Sequence, residues 1–329
     1  MKEFTYHRPA LVREALTLAA RGGTRYLGGG TNLVDLMKDG VETPTRLVDV
    51  RQLSLDGVRE TPDGGLILGA TTSNSDAAAD IRVRRRFPAL SQALLAGASG
   101  QLRNMATLGG NLLQQTRCSY FGDVSEPCNK REPGSGCPAI AGEHHNHAIL
   151  GASEHCAATH PSDMAVALTA FDAVVHYESL QGPGGIPLAE FYPPVGDTPQ
   201  RVSALPPGAL ITAIALPGAA TAPGSRYRKV RERASYAFST VSIAAALKVE
   251  EDTVTSVRIA LGGVASRPWR ARTAEVALLG GAATADAFRA AAAAELSAAR
   301  PLRDNAYKVP LARNLIEAVL TGLAQGRTR

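Results

Sequence analysis

The sequence predicts an α+β protein built from more than one domain. Three observations carry that prediction. The chain has 329 residues, more than one small hydrophobic core ordinarily organises. Its first 55 or so residues alternate strand and helix signals in the manner of a small βαβ unit. Beyond a Pro/Gly/Ala-rich stretch at 219–225, two long strand-like runs are followed by helical segments to the C-terminus.

In chain order, "ALVREALTLAA" places apolar residues at helical spacing, with Pro9 allowed in the first turn and Gly22-Gly23 after the end. "RYLGG" reads as a strand, "TNLVDLMKDG" as a helix closed by Gly40, and "TRLVDV" as a second strand. "GGLILGA" (64–70) is a buried-strand pattern. "SNSDAAADIRVRRRFPALSQALLAGAS" is helical with a break at Pro88. The segment that follows "LRNMATLGGNLLQQT" lacks periodicity and is rich in Pro and Gly, so it reads as loop. A loop of that length inside a compact domain ordinarily has a functional reason. "PSDMAVALTAFDAVVHY" reads as helix then strand, and "SLQGPGGIPLAEFYPPVGDTPQ" as loop with a short helical piece. "ALITAIALP" is a strand, 219–225 a linker, and "SYAFSTVSIAAALKVE" and "TVTSVRIALGGVA" two long antiparallel strands. Two or three helices follow from about Ala271, the alanine run 289–294 being a helix signal.

Composition narrows the function classes. Apolar residues at 45% and charged residues at 20% fit a globular chain with substantial cores. No run reaches the roughly 18 apolar residues of a membrane span, and no apolar h-region marks a secretory signal. A net charge of +5 over this length is mild. The one basic run, Arg82 to Arg86, reads as a solvated helix face or an acidic partner's contact; no motif suggests nucleic acid.

Two glycine loops stand out. "LGGGTNL", Leu27 to Leu33, leaves a strand and enters a helix. Glycines let backbone N–H groups approach an anion closely, and a helix N-terminus favours negative charge. Thr31 is a candidate cap. "ATLGGNL" is a second such loop, with Thr107 and Asn111 beside Gly109 and Gly110. Neither is a Walker A loop or G-x-G-x-x-G. Each alone is equally a tight turn; together they suit a dinucleotide diphosphate gripped from two sides, flavin or nicotinamide.

The four cysteines, Cys118, Cys128, Cys137 and Cys156, all fall within 39 positions of the loop segment. No C-x-x-C pair occurs, so the common zinc and ferredoxin signatures are absent. Four is the number of thiolates one cubane cluster takes. Two disulfides, a zinc site with His144, His145, His147, His155 or His160, and unrelated thiols are the alternatives. Gly134, Gly136, Gly142 and Gly151 offer N–H groups to cluster sulfurs. The histidines are expected to make loop hydrogen bonds or face solvent.

Five segments in order, "LGGGTNL", "ATLGGNL", "HPSDMAVAL", "RYRKVRERASYAFSTVSIAAAL" and "RIALGGVASRPWRARTAEVALLG", give the chain a family resemblance. It resembles the FAD-binding medium subunit of the xanthine dehydrogenase family of molybdenum hydroxylases. The cysteine-bearing insert before "PSD" resembles that of the flavin subunits of bacterial periplasmic aldehyde oxidoreductases and of 4-hydroxybenzoyl-CoA reductases. The resemblance implies a two-subdomain FAD-binding domain of the PCMH/vanillyl-alcohol-oxidase type over 1–218, with subdomains of about 1–55 and 56–218 and a [4Fe–4S] insert at 114–160. A CO-dehydrogenase-flavoprotein-like α/β domain over 224–329 would follow. It implies FAD held by Leu27, Gly28, Gly29, Gly30, Thr31, Asn32 and Leu33, with Thr107, Gly109, Gly110 and Asn111 opposite, and with Asp163 and Lys229 at the flavin. It implies a [4Fe–4S] cluster on Cys118, Cys128, Cys137 and Cys156. No catalytic residue is expected on this chain. Its partners would be a large molybdenum-cofactor subunit and a small [2Fe–2S] subunit, in a heterotrimer that oxidises aldehydes to carboxylates. A reductase acting on 4-hydroxybenzoyl-CoA is the alternative enzyme, and a zinc- or disulfide-stabilised binding module the non-enzyme alternative. With no signal of its own, the chain would be periplasmic by co-export with a signal-bearing partner, or cytoplasmic.

Overall fold

The computed structural model describes residues 1–218 and 222–326. Three sheets organise them. The first is parallel, from β1 (Thr5–His7), β2 (Thr24–Leu27) and β3 (Arg46–Asp49), in the order β1-β3-β2. The helix Leu33–Lys38 links β2 to β3, so the expected βαβ unit is present. The helix Val12–Ala19 starts three residues after Pro9, so Pro9 precedes the helix and lies outside its first turn. Glu14 instead closes that end, accepting the Ala10 and Leu11 N–H groups at 3.2 and 3.4 Å.

The second sheet is antiparallel. It holds β4 (Val58–Glu60), β5 (Leu66–Gly69), β6 (Val174–Ser179), β7 (Gly182–Pro187) and β8 (Leu210–Leu216), ordered β4-β5-β8-β6-β7. The helical run between β5 and β6 breaks twice, giving Asn74–Ala79, Ile81–Arg86 and Pro88–Ala96. Pro88 opens the third helix at its first position, where the missing N–H costs nothing. "GPGGIP", read as loop, is the edge strand β7, an edge being where proline is tolerated.

The third sheet, ordered β12-β11-β10-β9, uses β9 (Ser225–Val230), β10 (Val241–Glu250), β11 (Thr253–Gly262) and β12 (Trp269–Arg270). β10 and β11 are the expected long antiparallel pair. Of the expected linker 219–225, residues 219–221 lie outside the described residues, and Ser225 already begins β9.

The third sheet has two different faces. Ile243, Ala245, Leu247, Ile259 and Leu261 pack with the helices Arg272–Leu278, Ala285–Leu296 and Lys308–Ala324. Ala244, Ala246 and Ala260 face the core that contains the buried helix Asp163–Ala170. Small side chains there permit close approach: a Cβ on Gly262 would stand 2.5 Å from Val166 Cγ2. This packing carries the N-terminal end of that helix against β9.

Candidate functional site

A cleft of about 1330 Å3 opens beside the C-terminal end of β2. That exceeds the roughly 300–1,000 Å3 of an ordinary small-molecule pocket. Every residue from Gly28 to Leu33 lines it, as do Thr107, Gly109, Gly110, Asn111, Asp163 and Lys229. Leu27, the last residue of β2, packs just behind, within 3.5 Å of where a Cβ on Gly30 would stand. Residues from four distant parts of the sequence therefore meet at one concave surface.

The first glycine loop has the properties of an anion cradle. Among the described residues, no acceptor meets the backbone N–H groups of Gly28, Gly29, Gly30, Thr31 and Asn32. Gly30 has a φ of +74°, a conformation glycine adopts freely. Gly29 is needed for a different reason. A Cβ there would stand 1.9 Å from Met105 O and 2.9 Å from Ala106 Cα, so the loop lies directly on the backbone leading to the second loop. Thr31 is not the cap; Asn32 holds that position and makes no capping bond. Its Oδ1 instead accepts the Gln115 N–H at 2.8 Å, and its Nδ2 is buried without a partner.

The second loop is built differently. Leu108–Leu112 is a short helix capped by Thr107. The N–H groups of Leu108, Gly109, Gly110 and Asn111 go to Thr72 O, Ala70 O, Thr107 Oγ1 and Thr107 O. No backbone donor of that stretch is left for a ligand, so it forms a wall that supports the first loop. Asn111 Oδ1 accepts from Ser162 Oγ at 2.6 Å and ties this wall to the helix Asp163–Ala170.

Asp163 and Lys229 form a buried ion pair at 2.7 Å, their side chains 7% and 4% exposed. Tyr227 donates its hydroxyl to the other Asp163 oxygen. Burial and the adjacent Asp163 charge push the Tyr227 hydroxyl far above its usual range. Lys229 Nζ also donates to Ala96 O at 3.2 Å. A pair so placed fixes one edge of the cleft.

Comparison with known proteins identifies the site. The pattern of the FAD-binding domain of molybdopterin dehydrogenases matches residues 2–219, and that of the CO dehydrogenase flavoprotein C-terminal domain matches 225–323. The chain belongs to the FAD-binding medium subunits of the xanthine dehydrogenase and CO dehydrogenase family. This medium subunit is 50% identical over 325 residues to the aldehyde oxidoreductase FAD-binding subunit PaoB of Escherichia coli, covering 97% of this chain and 98% of that protein. The carbon monoxide dehydrogenase medium chain of Hydrogenophaga pseudoflava is 27% identical, with 96% of each chain covered. The solved carbon monoxide dehydrogenase of that organism superposes with a TM-score of 0.77 at 26% identity, covering 100% and 99% of the two chains. FAD is thus the ligand that the medium subunit binds, and the cleft fits it: a large groove with a row of free backbone donors.

The four cysteines of the medium subunit also converge. Cys118, Cys128, Cys137 and Cys156 line one small cavity, and all four are free thiols. Cys118, Phe121 and Lys130 line both this cavity and the large cleft. Among the described residues, no three Cys, His, Asp or Glu side chains gather closely enough to hold a single metal ion. Burial pushes the Cys118 thiol up to about 11 and raises that of Cys156. Half-buried Lys130 donates to Pro199 O at 2.8 Å, and among the described residues no carboxylate pairs with it. Burial pushes its ammonium down, while Cys156, Cys128 and Cys118 favour its charged form.

The loop is locked by its own polar groups. Asn129 Oδ1 accepts the N–H groups of Gly134 and Gly136 at 3.1 and 2.8 Å, and Asn129 Nδ2 donates to His155 O. Gly142 N–H goes to Pro138 O. These three glycines therefore brace the loop and have no N–H left for cluster sulfurs. Of the histidines, His144 bridges Ala139 O and the Asp304 N–H, each at 3.0 Å. His147 Nε2 stands 3.2 Å from Cys118 Sγ, so of the histidines weighed beside the cysteines it is the one that meets a cysteine sulfur, among the described residues. Burial first, then Lys308 and His144, hold the His147 ring down at about 4. Among the described residues, no helix is long and apolar enough to cross a membrane.

Proposed function

We propose that this chain is the FAD- and [4Fe–4S]-binding electron-transfer subunit of a molybdenum-dependent aldehyde oxidoreductase. The observation that carries the cluster is the ring of four cysteines round one cavity that shares Cys118 with the flavin cleft. Four is the number of thiolates that one cubane takes, one on each iron, and all four line this one cavity. The unpaired ammonium of Lys130 beside them suits an anionic occupant.

The protein's own residues would do the following. The free N–H groups of Gly28 to Asn32 would bind the FAD diphosphate, and Leu27 and Leu33 would set the entry and exit of that loop. Thr107, Gly109, Gly110 and Asn111 would wall the opposite side. The Asp163–Lys229 pair would hold the edge of the flavin site rigid. Leu36 and Phe121 pack against Cys128 and Cys118 and would keep water from the cluster. Bound FAD and the cluster would supply the redox chemistry, which no side chain here provides.

The domain division at 1–218 and 224–329 belongs to the same reading, as do the large molybdenum-cofactor and small [2Fe–2S] partner subunits. Aldehyde as the substrate of the complex rests on the relative from Escherichia coli, whose name states that activity. Location would follow the partners, periplasmic by co-export or cytoplasmic. The test is the full chain produced anaerobically. Four irons, four sulfides and one FAD per chain are expected, and Cys→Ser at position 118, 128, 137 or 156 should lose the cluster and keep FAD. Full iron in all four variants, or zinc in place of iron, would overturn the assignment. Activity of the co-expressed complex on aldehydes rather than aryl-CoA thioesters checks the substrate class.

A further inference from the structure

His147 links the two halves of this site. Its Nε2 lies 3.2 Å from Cys118 Sγ, while the residue also lines the flavin cleft. Its Nδ1 is buried with no partner. A cluster-bound thiolate would offer only lone pairs, so with the cluster in place the contact would put the imidazole proton on Nε2. Cys118 alone among the four cysteines has a side-chain donor at its sulfur, among the described residues.

The backbone that carries the ring is held firmly in place. The His147 carbonyl accepts from Lys308 Nζ at 3.0 Å and from Asn305 Nδ2 at 3.2 Å. Lys308 is wholly buried and also donates to Gly263 O at 2.8 Å, anchoring the segment to the turn after β11. The His147 N–H donates to His144 O at 3.0 Å. The third sheet and the last helix thus fix the backbone from which the imidazole reaches Cys118.

We propose that His147 is a positioning residue that donates its Nε2–H to the Cys118 sulfur and would raise the reduction potential of the cluster that Cys118 helps to hold. This rests on the cluster reading above. A hydrogen bond to a ligand sulfur stabilises the more negative, reduced cluster, so its loss lowers the potential. Because Cys118 lines both cavities, it would join the cluster site to the flavin cleft.

The test is an EPR-monitored redox titration of the full chain, with iron, sulfide and FAD analysis, on wild type, His147→Ala and His147→Gln. Expected is a cluster in His147→Ala that is harder to reduce by roughly tenfold in the oxidised-to-reduced ratio at fixed poise, about 59 mV for one electron. FAD content should stay unchanged. His147→Gln keeps an amide donor and should return most of the shift. If His147→Ala fails to hold iron, His147→Gln decides: wild-type iron and potential support the proposal, and iron loss there overturns it. An unshifted His147→Ala, or a His147→Gln shifted as far as His147→Ala, overturns it while leaving the cluster standing. Absence of iron from the wild type overturns both.

Discussion

Gly29→Ala tests how the two glycine loops cooperate. The added Cβ would meet Met105 O at 1.9 Å, Met105 C at 2.4 Å and Ala106 Cα at 2.9 Å, all backbone atoms that cannot swing aside. Overpacking of this kind costs about 1–3 kcal/mol. If the first loop yields, its row of free N–H groups shifts away from the diphosphate, and FAD affinity falls roughly 5- to 160-fold. If the protein holds the loop in place, the same cost appears as lower thermal stability. Flavin fluorescence titration of the apoprotein and a melting curve measure the two together. Gly22→Ala is the control, because nothing lies within 4 Å of its Cβ. Wild-type affinity together with a wild-type melting temperature in Gly29→Ala would refute the reasoning.

Lys229→Met should cost about 3–5 kcal/mol, because it strands the buried Asp163 carboxylate. Adding Asp163→Asn should recover part of that, and urea unfolding of the single and double variants checks it; equal losses in both would argue against the pair. Burial alone would lift the Asp49 carboxyl, but hydrogen bonds from Arg51 and Tyr6 hold it down at about 2, against 3.8 when unfolded. Its contribution is present above pH 3.8 and lost as pH falls through 3.8 to 2, roughly 2 kcal/mol in all. Arg51→Met should flatten that acid-side loss in urea unfolding between about pH 5 and 2; an unchanged slope would show that the pairing contributes nothing.

What sequence made legible was periodic or locally encoded. β10 and β11 are long apolar runs, and the buried helix Asp163–Ala170 follows a Ser that caps it. Apart from β2, short edge strands were not legible. β7 is "GPGGIP", which looks like turn, yet a Cβ on Gly184 would meet Tyr177 Cζ at 2.4 Å across the pair, so the tyrosine ring would have to shift to admit any other residue. The second glycine loop was visible as a motif but not as a capped helix that uses up its own N–H groups. The need for glycine at 29 comes from Met105, distant in sequence, so no local pattern announces it. The same holds for the cysteines. Their spacing is uninformative, and only the folded path of the insert brings them around one cavity and His147 against Cys118.

An anomalous difference map at the iron edge, from crystals of the FAD-loaded chain grown anaerobically, tests the central claim most directly. The account predicts a four-iron peak enclosed by Cys118, Cys128, Cys137 and Cys156, next to flavin density in the cleft. A single-ion peak at the zinc edge with none at the iron edge, or no metal density among these sulfurs, would contradict it.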